Sequence, residues 1–312
     1  MIKVGIIGSG IYGCWIANEL SKNKNYQIYI FEKNKEIMSG SSKKNQYRVH
    51  GGYHYLRSIS TAARCRDNYK KFLKFFPNCV KKNIRSIYAL GKYRSKIDSY
   101  QFERNCKLIG APFKKQKKNN TLFNENLISD IYEVDETVYD YISLKDQIKN
   151  LINKDNIKLF FETEIKTFKN KKKLLSSSGE IFDVDFIFNC TYSNLEKIEN
   201  LELKNIFLKY KLSQIALIEL PNEFKDLGIT VIDGPFFSIL PYDENVHTLS
   251  HVNYTHISES ANNFFEKDQE ISGEIFIKNN IKKMILDSSR FIPLLSNSKF
   301  DKSFFEVKAL CR

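Results

Sequence analysis

The stretch IKVGIIGSGIYGCWIANEL, residues 2–20, contains the most specific structural pattern of the chain. Its first six residues form an apolar, largely β-branched run that is typical of a buried parallel strand. The glycine pattern G-x-G-x-x-G follows at once, at positions 8, 10 and 13, and the residues after it have helical periodicity. A second strand, YQIYIFEK (26–33), ends near the acidic Glu32. This order predicts a strand–turn–helix–strand unit.

Each glycine of this unit has a physical reason in a dinucleotide site. Gly8 permits the tight turn, Gly10 lets backbone N–H groups approach a pyrophosphate, and Gly13 lets the helix pack close to the strand. The first helical residues, Ile11 and Tyr12, present unpaired N–H groups and the positive end of the helix dipole to the phosphates. The sequence therefore predicts dinucleotide binding.

The end of the second strand indicates how the nucleotide is held. Glu32 follows the glycines by about 20 residues, the spacing at which a carboxylate accepts hydrogen bonds from ribose hydroxyls. We group its neighbour Lys33 with the cofactor contacts. An acid at this position disfavours a cofactor with a 2′-phosphate, but NAD and FAD both fit the pattern.

Composition excludes several other classes of protein. The chain has 312 residues, 42% hydrophobic and 27% charged, as in an ordinary globular protein of one or two domains. It contains no apolar run long enough to span a membrane, and its N-terminus is typical of a first strand and not of a secretory signal. The six scattered cysteines lack metal-ligand spacing, so we expect reduced thiols and a cytoplasmic protein.

The net charge of +13 raises the alternative of a basic nucleic-acid-associated protein that uses the fold as a scaffold. Only KKQKK (114–118) and KNKKK (169–173) are dense in lysine, and both lie among turn-like residues. We interpret them as solvated loops and expect no specific nucleic-acid partner.

A polar loop, MSGSSKKNQYRVHGGYHYLRS (38–58), follows the second strand where a plain NAD-linked dehydrogenase would continue to alternate strands and helices. Ser41, Ser42 and Asn45 offer further donors to a pyrophosphate. Gly51 and Gly52 would allow the backbone to lie against a flat ring system. The loop favours FAD, with an NAD-linked dehydrogenase as the alternative.

At these residues the chain resembles the FAD-dependent oxidoreductases of the D-amino-acid oxidase and glycine oxidase superfamily, with a pattern similar to that of the 2-hydroxyglutarate oxidases. The resemblance rests on GIIGSGIYGCWIANEL, FEK and VHGGYHYLRSISTAARC and covers about the first 80 residues. It implies that His50, Gly51 and Gly52 line the flavin and that Tyr53, His54 and Tyr55 face the substrate cavity. The 2-hydroxyglutarate pattern has an aromatic residue at position 54 and Pro-Gly-Ser at 56–58, so substrate identity is not transferred.

The resemblance implies hydride transfer from a C–N or C–OH carbon of a small, carboxylate-bearing substrate to the flavin. The catalytic candidates are His54, Tyr53 and Arg57. For His54, proton removal competes with aromatic packing; for Arg57, a carboxylate clamp competes with a surface ion pair, and Arg290 is an equally open second clamp. Oxygen, a quinone or another protein remains open as the electron acceptor.

The remaining residues predict an α/β fold in which a Rossmann-like FAD-binding domain is interleaved with an α+β substrate domain on a mainly antiparallel sheet. The predicted FAD domain comprises residues 1–80, 140–205 and 303–312, and the substrate domain residues 81–139 and 206–302. Ser143 is the expected N-cap of a helix within 132–153, and Thr191 is a weak cofactor contact by resemblance. The other predicted elements are a strand over 84–92, helices over 60–77, 96–108 and 266–286, and strands over 157–168, 172–178, 180–193, 212–220, 229–241 and 246–257.

Two further patterns concern the second half of the chain. His247, His251 and His256 lie close together in sequence, but no Cys or Glu completes a ligand set, so we favour sheet packing and predict no metal. SFFEVKALCR (303–312) resembles a superfamily strand that ends in an Arg-Pro element, with Arg312 at the arginine. In the superfamily a further loop and helix follow, so we expect one side of the flavin ring to be open, with the chain either binding FAD weakly or being a truncated form with little activity.

Overall fold

The computed structural model describes residues 1–117, 121–170, 172–201, 207–260 and 274–311. The helices are α1 (Ile11–Leu20), α2 (Ile59–Phe75), α3 (Ser99–Leu108), α4 (Tyr141–Ile152) and α5 (Glu274–Ser289). The strands up to residue 189 are β1 (Ile2–Ile7), β2 (Tyr26–Phe31), β3 (Arg48–Val49), β4 (Arg85–Gly91), β5 (Phe113–Lys115), β6 (Ile128–Val134), β7 (Thr137–Val138), β8 (Ile157–Phe160), β9 (Ile165–Lys169), β10 (Lys173–Ser176), β11 (Ile181–Asp183) and β12 (Phe186–Asn189). The later strands are β13 (Leu208–Glu219), β14 (Leu227–Ile232), β15 (Phe237–Pro241), β16 (Val246–His251), β17 (His256–Ser260) and β18 (Lys299–Cys311).

A four-stranded parallel sheet, in the order β12-β1-β2-β8, carries the glycine turn. Both faces are buried, which explains the unbroken apolar run of β1. Val4 and Ile6 pack with α1 and α4 on one face, while Ile7 and Phe31 pack with the small sheet β11-β10-β9 on the other. These three layers form the predicted Rossmann-like unit.

A second sheet contains nine of the described strands, in the order β17-β13-β16-β15-β14-β4-β6-β5, with β18 running antiparallel along β13. Its pairs are antiparallel except for β14 with β4. One face packs against α5, and the other packs against α3 and the segment 53–62. The predicted fold class is confirmed, including the mainly antiparallel second sheet, while the domain bounds stay a prediction.

Several predicted strands are two strands in the structure. Residues 229–241 contain β14 and β15, and residues 246–257 contain β16 and the start of β17. Likewise, residues 157–168 contain β8 and β9, and residues 180–193 contain β11 and β12. In these last two segments the two strands belong to different sheets. Apolar composition alone did not locate the turns, although Gly234 and Pro235 mark one of them.

Local corrections concern a helix cap and the basic runs. Asp140, not Ser143, caps α4, because its carboxylate accepts a hydrogen bond from the Ser143 N–H at 2.7 Å. The first basic run begins in β5, which adds to the edge of the large sheet, so it is only partly a loop. The second joins β9 to β10. Positions 118, 171, 266–273 and Arg312, on which parts of the predictions fall, lie outside the described residues.

Two global expectations can be compared with the structure. Within the described residues no helix has the length and apolar character needed to cross a membrane. The six cysteines all lie in described parts of the chain and are unpaired there.

Candidate functional site

The glycine turn between β1 and α1 is shaped by contacts that only glycine permits. Gly8 has a φ of +98°, and a Cβ there would lie 2.7 Å from the carbonyl oxygen of Cys190. A Cβ at Gly13 would lie 2.0 Å from the carbonyl oxygen of Gly8. At Gly10 the nearest atom would be Ser42 Oγ at 3.6 Å, an ordinary contact. The protein's own packing therefore explains Gly8 and Gly13 but leaves Gly10 to be explained by a ligand.

The N-terminus of α1 has the properties of an anion site. Its N-cap is Gly10, with no side-chain cap, and no acidic residue lies in the first turn. The Ile11 N–H donates to Ser42 Oγ at 3.2 Å, and the neighbouring Tyr12 is 79% exposed. The helix dipole is thus complemented only by a neutral hydroxyl, which fits a phosphate at this position.

Glu32 is a buried carboxylate fixed just beyond the end of β2, with 7% of its surface exposed. One oxygen accepts from the Ser9 N–H at 3.0 Å and from Ser9 Oγ at 2.6 Å. The other accepts from the Asn34 N–H at 2.9 Å and from Asn34 Nδ2 at 2.7 Å. These four bonds hold the carboxylate rigidly, and its contact with a ribose stays a prediction.

The loop after β2 is held by its own side chains. Asn45 Nδ2 donates to the carbonyl oxygens of Ser41 at 2.9 Å and Ser42 at 3.1 Å, so both amide hydrogens are engaged within the loop. Ser41 Oγ donates to Glu306 at 2.6 Å. Burial raises the pKa of Glu306, and the nearby Lys33 is among the groups that oppose this rise. Of the three predicted donors, only Ser42 contacts the helix N-terminus, whereas Asn45 shapes the loop.

Thr191 lies at the turn after β12, beside the glycine turn. A Cβ at Gly8 would be 3.5 Å from the Thr191 nitrogen, which puts the two turns in contact. The Thr191 hydroxyl donates to Asn189 Oδ1 at 2.6 Å. The structure therefore brings Thr191 to the predicted cofactor site, but its hydroxyl already has a partner within the turn.

Three rings form a cluster that we call the His50–Tyr55 wall: His50, His54 and Tyr55. Their centroids are 5.7 Å apart for the two histidines, 5.3 Å for His50 and Tyr55, and 5.2 Å for His54 and Tyr55. His54 is exposed, while His50 Nδ1 is buried and has no hydrogen-bond partner in the described part of the chain. An orphaned polar atom beside an exposed imidazole is what a ligand-facing wall would contain.

Both imidazoles of this wall are neutral near pH 7. Burial, followed by the charge of Arg48, lowers the pKa of His50 to about 3. Desolvation by the surrounding protein, followed by the charge of the same arginine, lowers the pKa of His54, although the residue as a whole is exposed. A neutral imidazole accepts a proton through its unprotonated nitrogen, as the predicted role of His54 requires.

The residues between the two histidines differ from the sequence interpretation. A Cβ at Gly51 would lie 2.8 Å from the Tyr53 ring, and one at Gly52 would lie 2.7 Å from the Ala62 carbonyl oxygen. Contacts within the protein therefore already explain why both positions are glycine, and no contact with a flat ring system is needed to explain them. Tyr53 is fully buried, and its hydroxyl donates to the Pro112 carbonyl and accepts from the Asp135 N–H. Tyr53 is therefore part of the protein interior next to the His50–Tyr55 wall and is not placed to contact a substrate.

Neither predicted arginine clamp is unpaired. Arg57 Nε forms an ion pair with Asp233, and Arg57 remains 55% exposed. Arg290 Nη1 lies 2.9 Å from Asp287 Oδ1, and its side chain is 63% exposed. The ion-pair alternative thus describes both residues, and only Arg57 lies in sequence next to the His50–Tyr55 wall.

The three histidines of the second half each have a partner of their own. His247 Nε2 lies 3.0 Å from the Phe224 carbonyl oxygen, His251 Nε2 lies 3.0 Å from Asp287 Oδ2, and His256 Nδ1 lies 3.0 Å from Ser213 Oγ. Across the described ranges, no group of three or more His, Cys, Asp or Glu side chains is arranged to hold a metal ion. Their environment is that of sheet packing.

Sequence reasoning missed the charged residues behind the wall. Arg48 and Glu136 form an ion pair of 3.1 Å with side chains only 5% and 2% exposed. Arg48 also donates to Thr230 Oγ1 at 2.9 Å, and the Gly51 N–H donates to Glu136 at 2.7 Å. Arg48, two residues before His50, was visible as a charged residue in the sequence, but nothing in the sequence connects it with Glu136.

Comparison with known proteins decides the family. The family model of the FAD dependent oxidoreductases called DAO matches residues 3–276, most of this chain. The chain belongs to this family. The family's cofactor is FAD, which excludes the NAD-linked alternative, and the glycine turn, the α1 N-terminus and Glu32 fit such a dinucleotide.

Curated relatives and solved structures agree with this family. The FAD-dependent monooxygenase FPY4 of Fusarium mangiferae is 26% identical over 266 residues, which are 82% of this chain and 66% of that protein. The FAD-dependent monooxygenase kojA of Aspergillus flavus is 28% identical over 286 residues, 86% of this chain and 65% of that protein. This chain therefore spans slightly less than two thirds of the length of these relatives.

Glycine oxidase from Geobacillus kaustophilus has a similar fold, with a TM-score of 0.74 at 14% identity; the match covers 100% of this chain and 84% of that one. L-alpha-glycerophosphate oxidase from Mycoplasma pneumoniae, solved with FAD bound, has a TM-score of 0.68 at 13% identity, with coverage of 100% and 84%. At these identities the likeness concerns the fold alone.

Proposed function

We propose that this FAD-family chain oxidises a C–N or C–OH carbon of a small, carboxylate-bearing molecule. The observation that carries the proposal is the exposed, neutral His54, which lies against His50 in the wall that follows the dinucleotide site in sequence. A neutral base beside a redox cofactor is the group that such an oxidation requires of the protein.

FAD, when bound, supplies the redox chemistry by accepting a hydride from the substrate carbon. His54 is the proposed acceptor of the proton of the substrate amine or hydroxyl, because its imidazole is unprotonated near neutral pH; the lowered pKa also makes it a weak base, so it takes this proton as the hydride leaves the substrate carbon. His50, whose Nδ1 has no hydrogen-bond partner among the residues that the structure describes, offers a second hydrogen-bonding atom on the same wall.

Arg57 is the proposed carboxylate contact. Its Nε bonds to Asp233, and its Nη2 makes a longer hydrogen bond of 3.5 Å to the same carboxylate. A guanidinium carries five N–H donors, so the half-exposed Arg57 keeps donors for a substrate carboxylate beyond the two that this ion pair uses. Asp233 then has two roles: it orients the guanidinium, and it reduces the positive charge that an acidic substrate meets.

The relative FPY4 is described as a monooxygenase, which makes dioxygen a specific candidate among the electron acceptors left open by the sequence. Product analysis under isotopically labelled dioxygen separates two cases: label in the organic product indicates oxygenation, and label only in peroxide or water indicates an oxidase. A quinone or protein acceptor predicts turnover without oxygen consumption.

The proposal is tested by mixing the FAD-loaded protein anaerobically with amino acids, N-methyl amino acids and 2-hydroxy acids, and with amines and alcohols that lack the carboxylate. We expect bleaching of the visible flavin band by carboxylate-bearing compounds only. The Arg57→Ala variant should lose this preference. Bleaching by none of the carboxylate-bearing compounds, with FAD bound, would contradict the proposal.

A further inference from the structure

A buried polar cluster lies behind the His50–Tyr55 wall. We call it the Arg48–Glu136 anchor, and it comprises Arg48, Tyr88, Glu136, Thr230 and the backbone N–H of Gly51. Arg48 donates to Tyr88 at 2.6 Å and to Thr230 at 2.9 Å, and it pairs with Glu136 at 3.1 Å. Tyr88 donates to one oxygen of Glu136 at 2.6 Å, and the Gly51 N–H donates to the other at 2.7 Å.

Stability alone is a weak explanation for such a cluster. Removing two charges from water is costly, and replacing a buried ion pair by apolar residues of similar volume is often neutral or stabilising. Here both side chains are at most 5% exposed, so the desolvation cost is nearly complete. The favoured use of a buried ion pair is then to specify one arrangement of the chain around it.

The arrangement specified here is that of the wall relative to the large sheet. Tyr88 belongs to β4 and Thr230 to β14, which are paired neighbours in the sheet. Arg48 belongs to the two-residue strand β3, which is held by only two residue pairs with β7. Glu136 directly precedes β7 and bonds to Gly51, between His50 and His54. The anchor therefore fixes a short strand that has little other backbone pairing.

The charges of the anchor also affect the pKa values of the two histidines in the wall. Arg48 and His50 are two residues apart along an extended segment, and the arginine's charge lowers the pKa of both His50 and His54. Glu136 acts on His54 in the opposite direction. Burial raises the pKa of Tyr88 well above its ordinary value, so the phenol keeps the proton that it donates to Glu136.

We propose that Arg48 and Glu136 are positioning residues, which hold the His50–Tyr55 wall in the orientation that contacts the bound flavin and the substrate. This inference rests on the proposed function, because it takes that wall as the ligand-facing one. Neither residue touches the reacting atoms; Glu136 acts through Gly51, and Arg48 acts through Glu136 and the β3 backbone.

The variants Arg48→Met/Glu136→Leu and Glu136→Asp test this role. The double variant removes both charges together, which leaves no unpaired buried ion. Glu136→Asp keeps the charge but is one methylene too short to reach Gly51 and Arg48 together. Asn280→Ala is the matched control: this buried side chain donates to Gln214 at 2.8 Å and to the Tyr254 carbonyl at 2.9 Å, in the layer of α5 on the opposite face of the large sheet.

The readouts are the FAD dissociation constant, the visible circular dichroism of the bound flavin, and the thermal midpoint. For both anchor variants we expect FAD affinity to fall by about tenfold or more and the circular dichroism band to change, measured below the thermal midpoint of each variant, where the protein is folded. The Asn280→Ala protein should lose stability without a change in the flavin band. Wild-type FAD affinity and spectrum in Glu136→Asp, or an equal spectral change in Asn280→Ala, would overturn the inference. Failure of the wild-type chain to bind FAD would instead refute the proposed function.

Discussion

The carbonyl oxygen of Gly8 lies where a side chain at Gly13 would begin, because a Cβ at Gly13 would come within 2.0 Å of it. We expect Gly13→Ala to push α1 away from the end of β1, since backbone cannot yield as a flexible side chain does. Overpacking of this kind costs about 1–3 kcal/mol or more. Denaturant unfolding should show this loss together with weaker FAD binding. An alanine variant with wild-type stability would contradict the packing described for α1.

Glu32→Gln tests the fixed carboxylate beyond the end of β2. The amide replaces one acceptor oxygen by a donor, so it faces the N–H or O–H donors of either Ser9 or Asn34 without a bond. Buried polar groups left unpaired cost about 1–3 kcal/mol. We expect lower stability and a higher FAD dissociation constant. Asn34→Ala, which removes the Nδ2 donor but keeps the backbone N–H and the carboxylate, should weaken FAD binding less; an equal effect would count against a direct contact of Glu32 with the ribose.

The β1–α1–β2 unit could be predicted because its reasons are local. The positive φ of Gly8, the contact made by Gly13 and the two buried faces of β1 all lie within a short stretch that the glycine spacing encodes. The resemblance to the flavin oxidoreductases then extended this local signal to the family.

The anchor and the partner of Arg57 could not be predicted, because the paired residues are distant in sequence. Arg48 and Glu136 are 88 positions apart, and Arg57 and Asp233 are 176 apart. Local periodicity carries no information about such pairs. The burial of Tyr53 was missed for a related reason: its hydroxyl partners are backbone groups of Pro112 and Asp135, which are distant from it in sequence.

His50 predicts part of the protein's acid sensitivity. Its pKa is about 3 in the folded chain, below the ordinary value of 6.5, so the unfolded state binds more protons between these pH values. The free energy of unfolding should therefore fall as the pH drops through this window. Near pH 5 the unfolded state binds almost one proton more than the folded state at this histidine. We therefore expect His50→Asn to reduce the pH dependence of the free energy of unfolding by up to about 1.4 kcal/mol per pH unit at that pH. Denaturant unfolding over a pH series measures it.

The more exposed His256, whose pKa is also lowered, provides the comparison for this measurement. The His256→Asn variant should change the slope less than His50→Asn does. If His50→Asn keeps the full wild-type slope, the imidazole of His50 is not held in its neutral form.

His54→Gln tests the proposed base. Glutamine keeps a hydrogen-bonding side chain but cannot take the substrate proton, so flavin reduction should slow by about 10²–10⁴-fold. FAD affinity should change little, because the predicted nucleotide contacts lie at the glycine turn and Glu32. Rapid anaerobic mixing with a reducing substrate measures the rate. Loss of FAD with an unchanged reduction rate per bound flavin would reverse the roles given to His50 and His54.

We expect the turn at Gly8, Gly10 and Gly13 to bind FAD, and a titration of the 312-residue protein with FAD measures this binding. Quenching of flavin fluorescence gives the affinity, with NAD⁺ as competitor and with Gly10→Ala and Gly40→Ala as variants. A Cβ at Gly10 meets only Ser42 Oγ at 3.6 Å, and one at Gly40 meets nothing within 4 Å, so both variants should fold. We expect saturable binding of one FAD per chain that NAD⁺ does not displace, with lower affinity in Gly10→Ala and unchanged affinity in Gly40→Ala. Displacement of FAD by NAD⁺, or equal FAD affinity in the wild-type and Gly10→Ala proteins, would contradict this expectation.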